Sequence, residues 1–262
     1  MKKIKKFVHL LLFISLFLCV MGCSPSSKET DPKKVLENAQ KKNNELTSSD
    51  LTMNLDMKIH AAGQSLPMGL ELNCKTKGNK DSIQFSMTGN ISSMGVSIPM
   101  ELYYKDNCIY LNLLNQKMKQ EVPFDNLQKQ IIPSTQTISL PIDAFKTINM
   151  EENGSNQVLS FTADGTKMTD FVNTILSSLM SQLGEDVSYL MKDVTGSMTI
   201  NSDGYISEAT FQLPMSITVP DMGEMSMDLT YSMTLNNPGK QDITIDYPDF
   251  SDYTESDLSD FV

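Results

Sequence analysis

FQLPMSITVPDMGEMSMDLTYSMTL, residues 211–235, is two runs of alternation about one turn. Phe211, Leu213, Met215, Ile217 and Val219 occupy every second position, and Met225, Met227, Leu229, Tyr231, Met233 and Leu235 do the same beyond residues 221–223. A period of two sends successive side chains to opposite faces of a strand, whereas on a helix the same residues would scatter around the cylinder. The stretch therefore predicts a long antiparallel hairpin with one apolar face.

The same pattern recurs upstream. Met53/Leu55/Met57/Ile59, Met68/Leu70/Leu72/Cys74, Ile83/Phe85/Met87, Ile98/Met100/Leu102/Tyr104 and Ile109/Leu111/Leu113 alternate with polar residues, and Gly78-Asn79, Ser92-Ser93 and Asp106-Asn107 read as the turns. A hairpin at 147–152 and 157–163, a strand at Met198/Ile200 before Asn201-Ser202-Asp203-Gly204, and a last strand at 242–246 bring the count to about eleven.

Two helices interrupt this. Asp31 as N-cap, Pro32 at the first helical position, and Val35, Leu36, Ala39 and Leu46 predict a helix over 32–47. Met168, Phe171, Val172, Ile175, Leu176, Leu179, Met180 and Leu183 form an i, i+3, i+4, i+7 stripe on a second, with 185–192 as a shorter helical piece. Residues 116–146, punctuated by Pro123, Pro133 and Pro141, read as a loop with short helices at 124–129 and 142–146.

The N-terminus is a targeting segment. Four lysines in the first six residues precede an apolar run over 8–21, too short for a bilayer core that needs roughly 20 residues. Val20-Met21-Gly22-Cys23 is similar to a bacterial lipobox, so residues 1–22 read as a lipoprotein signal peptide and Cys23 as the lipidated first residue of the mature chain. Two acyl chains suffice for stable anchoring at the outer face of the bacterial cell membrane. Residues 23–31 read as a tether, 32–248 as a single domain, and 249–262 as a solvated acidic tail.

Composition narrows the chemistry. Loss of the signal leaves 17 of the 21 lysines against 32 acidic residues, a balance of −15 that argues against nucleic acid. The chain has no arginine, which weighs against phosphate clamps, and the mature part keeps only His60, which reads as a solvated residue. No G-x-S-x-G, phosphate-cradling loop or C-x-x-C occurs, and the acidic tail lacks the glycine of a calcium loop. The reading is non-enzymatic, without cofactor or metal. Cys74 and Cys108 fall three strand positions apart and on opposite faces, which argues against a disulfide.

Lipobox, tether, N-terminal helix, β-meander, interrupting helix and a second meander bearing Ile200-Asn201-Ser202-Asp203-Gly204-Tyr205 make an order that resembles the LolA/LppX/LprG-like lipoproteins. The resemblance implies an α+β, mainly antiparallel fold: a strongly curved open half-barrel whose concave face is covered by helices around an apolar cavity. Twist also accumulates across so many strands, and methionine walls suit a ligand of variable shape. The expected lining is Met53, Leu55, Met57, Leu70, Leu72, Phe85, Met100, Leu113, Phe171, Ile175, Leu179, Leu213, Met215, Met227 and Leu229. Two functions stand side by side. One is a monomeric, anchored binder or carrier of a lipid or other apolar ligand, and the other is a cell-envelope interaction or signalling lipoprotein with a filled scaffold and a protein partner.

Overall fold

A computed structural model of the chain describes residues 29–61, 63–79, 82–124, 140–169, 171–173, 188–219, 223–240 and 242–257. After helix α1 (Pro32–Asn44) come β1 (Ser48–Ala61), β2 (Gln64–Asn79), β3 (Ser82–Ser93), β4 (Val96–Lys105), β5 (Cys108–Leu113) and β6 (Gln116–Glu121). Then follow β7 (Phe145–Asn153), β8 (Asn156–Ala163), β9 (Ser188–Met191), β10 (Val194–Ile200), β11 (Ile206–Val219), β12 (Gly223–Leu235) and β13 (Thr254–Glu255). All thirteen strands belong to one sheet, ordered β13-β6-β5-β4-β3-β2-β1-β12-β11-β10-β8-β7, with β9 sharing the β10 side of β11. Its two edges, β13 and β7, do not meet, so the sheet is open.

The two meanders join where β1 pairs with β12, from Leu51↔Leu235 to His60↔Ser226. On its other side β1 pairs with β2 along its whole length. The three registers agree in parity: Met53 lies between Met233 and Leu72, and Leu55 between Tyr231 and Leu70. One face is therefore apolar from β5 to β8, while Asn54, Asp56 and Lys58 look the other way.

The apolar face is buried unevenly. A large core gathers Phe161, Phe211, Leu213, Met215, Met227 and Leu229 beneath Val35, Leu36 and Ala39 of α1. Two buried amides dock that helix. Gln40 Nε2 donates to the Leu140 carbonyl at 3.3 Å while its Oε1 accepts from the Leu140 N–H, and Asn43 does the same with Ile206 at 3.0 and 2.9 Å. The Asn201 side chain accepts from the N–H groups of Asp203 and Tyr205, each at 3.0 Å, shaping the turn that receives the helix C-terminus. A second, smaller core holds Phe85, Tyr104, Ile109, Leu111 and Val122.

Several expectations are corrected. Among the described residues the strands number thirteen: 242–246 is not one and Thr254–Glu255 is, Gln116–Glu121 is a strand inside the stretch read as loop, and Ser188–Met191 is a strand where a helical piece was expected. Neither alternates strongly in sequence: β6 is short and amphipathic only at Met118, and β9 has four residues. Residues 242–246 have no regular secondary structure and do not join the sheet. Of the second helix, residues 169 and 171–173 are helical after a 3-10 turn at Gly165–Met168, and residues 174–187 lie outside the described residues, as do 125–139. In the described part α1 is the helix over the apolar face, contacting β7 and β11, so helical cover of the whole face is not what these residues show.

The acidic tail, expected to be solvated, packs on the opposite face of β4–β6 as far as residue 257. Phe250 stacks on Tyr110 at 3.7 Å and meets Tyr103 and Tyr253 edge-on at 5.7 and 5.3 Å. The Tyr247 hydroxyl donates to the Tyr104 carbonyl at 3.2 Å, and β13 then pairs parallel with β6, Thr254↔Met118. Aromatic residues spaced at 247, 250 and 253 were the overlooked signal. Phe250→Ala should cost about 2 kcal/mol, less than the ~3–5 kcal/mol of a fully buried Phe because Phe250 is only half-buried. Urea unfolding measures the loss, and limited proteolysis should cut within 247–257 before the rest of the chain.

Candidate functional site

Between the two cores the apolar face is only half-covered, and that lane is the candidate site. One rung runs Met53, Leu72, Gly89, Met100, Leu113 across β1 to β5, and the next runs Leu55, Leu70, Ile91, Ile98 across β1 to β4. From β12 to β5 the rungs span about 24 Å at roughly 4.8 Å per strand, comparable to a long extended acyl chain. Met53, Leu55, Leu70, Ile91, Ile98, Met100 and Leu113 are half-buried, while Leu72 is 7% and Met57 4% exposed.

Gly89 sits at the centre of the first rung, between Leu72 and Met100. A Cβ there would fall 1.8 Å from the Glu71 carbonyl oxygen and 3.0 Å from Leu72 Cα, so the backbone of β2 leans over the apolar side at this point. A strand glycine allows such close backbone approach where a side chain would not fit. Gly196 does the same in the large core, where Thr210 O and the Phe161 ring close over it at 2.4 and 2.6 Å.

The fifteen residues expected to line one space divide three ways. Met57, Phe171, Leu213, Met215, Met227 and Leu229 are buried in the large core with Met53 and Leu55 packed against it. Phe85 is buried in the small core with Leu113 against it. Leu70, Leu72 and Met100 bridge between the two, and Ile175 and Leu179 lie outside the described residues. Met100 pairs with Leu113, and Leu213 and Met215 with Leu229 and Met227, as the sequence indicates.

Phe85, expected beside Leu72 and Met100, instead pairs with Thr76 and Tyr104. The β2–β3 ladder closes at Asn79↔Ser82 and the β3–β4 turn falls at Met94–Gly95, each two residues beyond the expected turn, and each two-residue shift moves every partner by four. Because four is even, the face is unchanged. Ile91, Ile98, Met68 and Gly89 were not anticipated as site residues. Their signal is parity with Met87 and Leu70, and for Gly89 an isolated glycine inside an alternating run.

Little on this face is ionisable. Cys74, buried where β2 meets the large core, has its thiol pushed up to about 12 by burial, so it stays neutral across the physiological range. Cys74 and Cys108 are both free. Burial also pushes the Tyr231 phenol up. Among the described residues no group of three or more His, Cys, Asp or Glu is placed to hold a metal ion, and no helix is long and apolar enough to cross a membrane. Two open depressions of about 400 and 440 Å³ lie off the lane. One is lined mostly by hydroxyl and amide side chains around Thr195 and Thr210, and the other lies between Lys42, Asp203 and Lys240.

Among the described residues the site is an open antiparallel sheet with one apolar face, buried under α1 on one side and half-buried on the other. The chain belongs to DUF6612, a family of unknown function, which matches residues 31–246. No curated protein matches it in sequence. Among solved structures it is similar to LprF from Mycobacterium bovis, at 11% identity over 80% of this chain and 93% of that one, TM-score 0.39. It is also similar to a DUF1329 family protein from Desulfovibrio piger, at 12% over 80% and 96%, TM-score 0.27. A LolA superfamily protein from Nitrosomonas europaea is similar at 9% over 79% and 94%, TM-score 0.24. The sequence order had pointed to LolA-like proteins, and a LolA superfamily member stands among these. All three scores are below 0.5, so the function rests on this chain's own geometry.

Gly89→Ala should destabilise the protein by about 1–3 kcal/mol, since the added methyl meets backbone that can move only by parting β2 from β3. Ala normally stabilises relative to Gly in a strand interior. A urea midpoint that rises instead would show that the close approach of β2 does not require glycine at this residue.

Proposed function

We propose that the protein is an extracytoplasmic lipoprotein, anchored through Cys23 at the outer face of the cell membrane, that binds or carries a lipid or other apolar ligand on the bare lane of its sheet. The observation that supports this is the lane itself: rungs of half-buried Met, Leu and Ile run across β1 to β5 between the two cores. Most apolar side chains that could be buried in this protein are buried, so a lane left half-open across five strands calls for an occupant. Methionines at 53, 68 and 100 give walls that repack at low cost around chains of differing shape. The ligand binds by apolar contact and shape, and no chemical step is involved.

The chain purified from cells should carry a co-purified lipid, detected by native mass spectrometry and solvent extraction. Met100→Ala combined with Leu70→Ala should lower its retention several-fold at a stability cost near ~1 kcal/mol per site, because both are half-exposed. Met227→Ala, 1% exposed in the large core, should cost about 2–5 kcal/mol and leave the lane intact. A uniformly ligand-free protein whose Met100 and Met227 variants lose stability equally would overturn the reading and leave the filled-scaffold, protein-binding alternative.

Anchoring is tested separately. Tritiated palmitate should label the chain, and Cys23→Ser should abolish the label and shift the protein out of the membrane fraction.

A further inference from the structure

At one end of the sheet the β1–β2, β3–β4 and β5–β6 turns are uncharged and hold large apolar side chains in solvent, while the β11–β12 connection at the same end carries Asp221 and Glu224. The β1–β2, β3–β4, β5–β6 and β11–β12 turns share this end because the strands they join are antiparallel neighbours. Every large hydrophobic residue that is exposed among the described residues lies here: Leu66 (38%), Met94 (75%), Val96 (63%), Leu114 (59%) and, on β9 opposite Ser216, Leu190 (64%). Residues 59–70, 82–100 and 107–116 contain no Asp, Glu, Lys or Arg, although these make up 20% of the chain. The opposite end carries Asp50, Lys77, Lys105, Asp106 and Asp203.

Two of the exposed side chains are held against backbone preference. Met94-Gly95 have φ of 49° and 81°, and Leu114-Asn115 of 54° and 63°, the geometry of a type I′ turn. That turn wants Asn, Asp or Gly first, and a long or branched apolar residue with positive φ is uncommon. The Asp106-Asn107 turn at the other end, with φ of 53° and 61°, has the residues the geometry favours. The chain thus obeys turn chemistry at one end and departs from it twice at the other, each time to present a large apolar group.

The reach of the N-terminus is limited. Asn43, near the end of α1, bonds Ile206 at the charged end. The eight residues from Cys23 to its N-cap Asp31 reach at most about 28 Å at roughly 3.5 Å per residue. A body with a balance of −15 is repelled by an anionic surface, and the β1–β2, β3–β4 and β5–β6 turns are where it can approach one with uncharged residues foremost.

We propose that this end of the sheet docks on the lipid bilayer, with the β3–β4 and β5–β6 turns in the headgroup layer and Met94, Val96 and Leu114 in the apolar layer beneath. Docking does not require a cargo and goes beyond the ligand reading, but it would place the mouth of the lane at the membrane from which an apolar ligand must come.

The test uses the full chain, purified from expressing cells and incorporated into phosphatidylcholine vesicles whose acyl chains carry a photoactivated diazirine. If Cys23 is not lipidated, the soluble chain is added from outside and the readout is the same. Mass spectrometry of the photolysed protein should find lipid on residues 92–97 and 113–116 at least tenfold above that on 105–108. Met94→Asn with Leu114→Asn supplies what the turns prefer, so its urea midpoint should be unchanged or higher while turn labelling falls tenfold or more. Equal labelling of both ends, or unchanged labelling in the double variant, would overturn docking. Lipid co-purifying with the double variant reads the cargo separately: its presence with lost labelling means the lane binds without docking, and its absence from a wild type that still labels means docking without cargo.

Discussion

The ladder between β1 and β12 is the constraint on which the rest depends. It joins a strand beginning at residue 48 to one ending at residue 235, and without it the chain would be two separate meanders. The cost of closing so long a loop grows only logarithmically with length, so the ladder needs parity more than proximity. Met53 against Met233 and Leu55 against Tyr231 show what parity achieves: both halves turn their apolar sets to the same side. A slip of one residue would send Asn54, Asp56 and Lys58 into the core, which is why the alternation runs unbroken in both strands.

Burial along that shared face falls into two regimes. On the β12–β8 side, aromatic rings stack in sequence from Phe145 through Phe161, Phe211 and Tyr231, and α1 closes over them by way of Gln40 and Asn43. This half carries the stability of the fold, since each buried ring brings a large apolar area and a preferred geometry. On the β2–β5 side the small core occupies the charged end and the lane is left half-open. A protein whose rigid half is packed and whose open half is lined by unbranched side chains can hold its frame while the lane adapts.

The sequence made the architecture legible where alternation was long. β1, β2, β11 and β12 could be read with their faces, although the β11–β12 ladder closes at Val219↔Gly223, so a turn placed at 221–223 sets each partner two residues off while keeping the face. Short strands were not legible: β6 and β9 gain their pairing from neighbours already in place, not from propensity of their own. Turn position set the limit on the site. Met94-Gly95 and Leu114-Asn115 do not look like type I′ turns because a large apolar residue stands first, so the β3–β4 register was placed two residues early and Phe85 was put in the lane instead of the small core. Which apolar residues are wall and which are packing cannot be told by parity, since both occupy the same face. Burial separates Met100 from Met227, and burial is a property of what covers them.

The C-terminal segment bears on how many such chains can share a surface. An open sheet offers two rows of unpaired backbone groups, and molecules confined to a plane meet edge to edge far more often than in free solution. One edge is sealed by the chain's own last strand, with Lys117 and Lys119 paired to Asp252 and Glu255 at 2.6 and 3.2 Å, so the seal is electrostatic as well as hydrogen-bonded. The other edge, β7, presents Lys146 and Glu151 to solvent, the charged dressing by which sheets resist continuation into a neighbour. Residues 249–257 therefore act as a terminator for the sheet, and a chain shortened before Phe250 would expose a fresh template on β6 where lateral crowding is greatest.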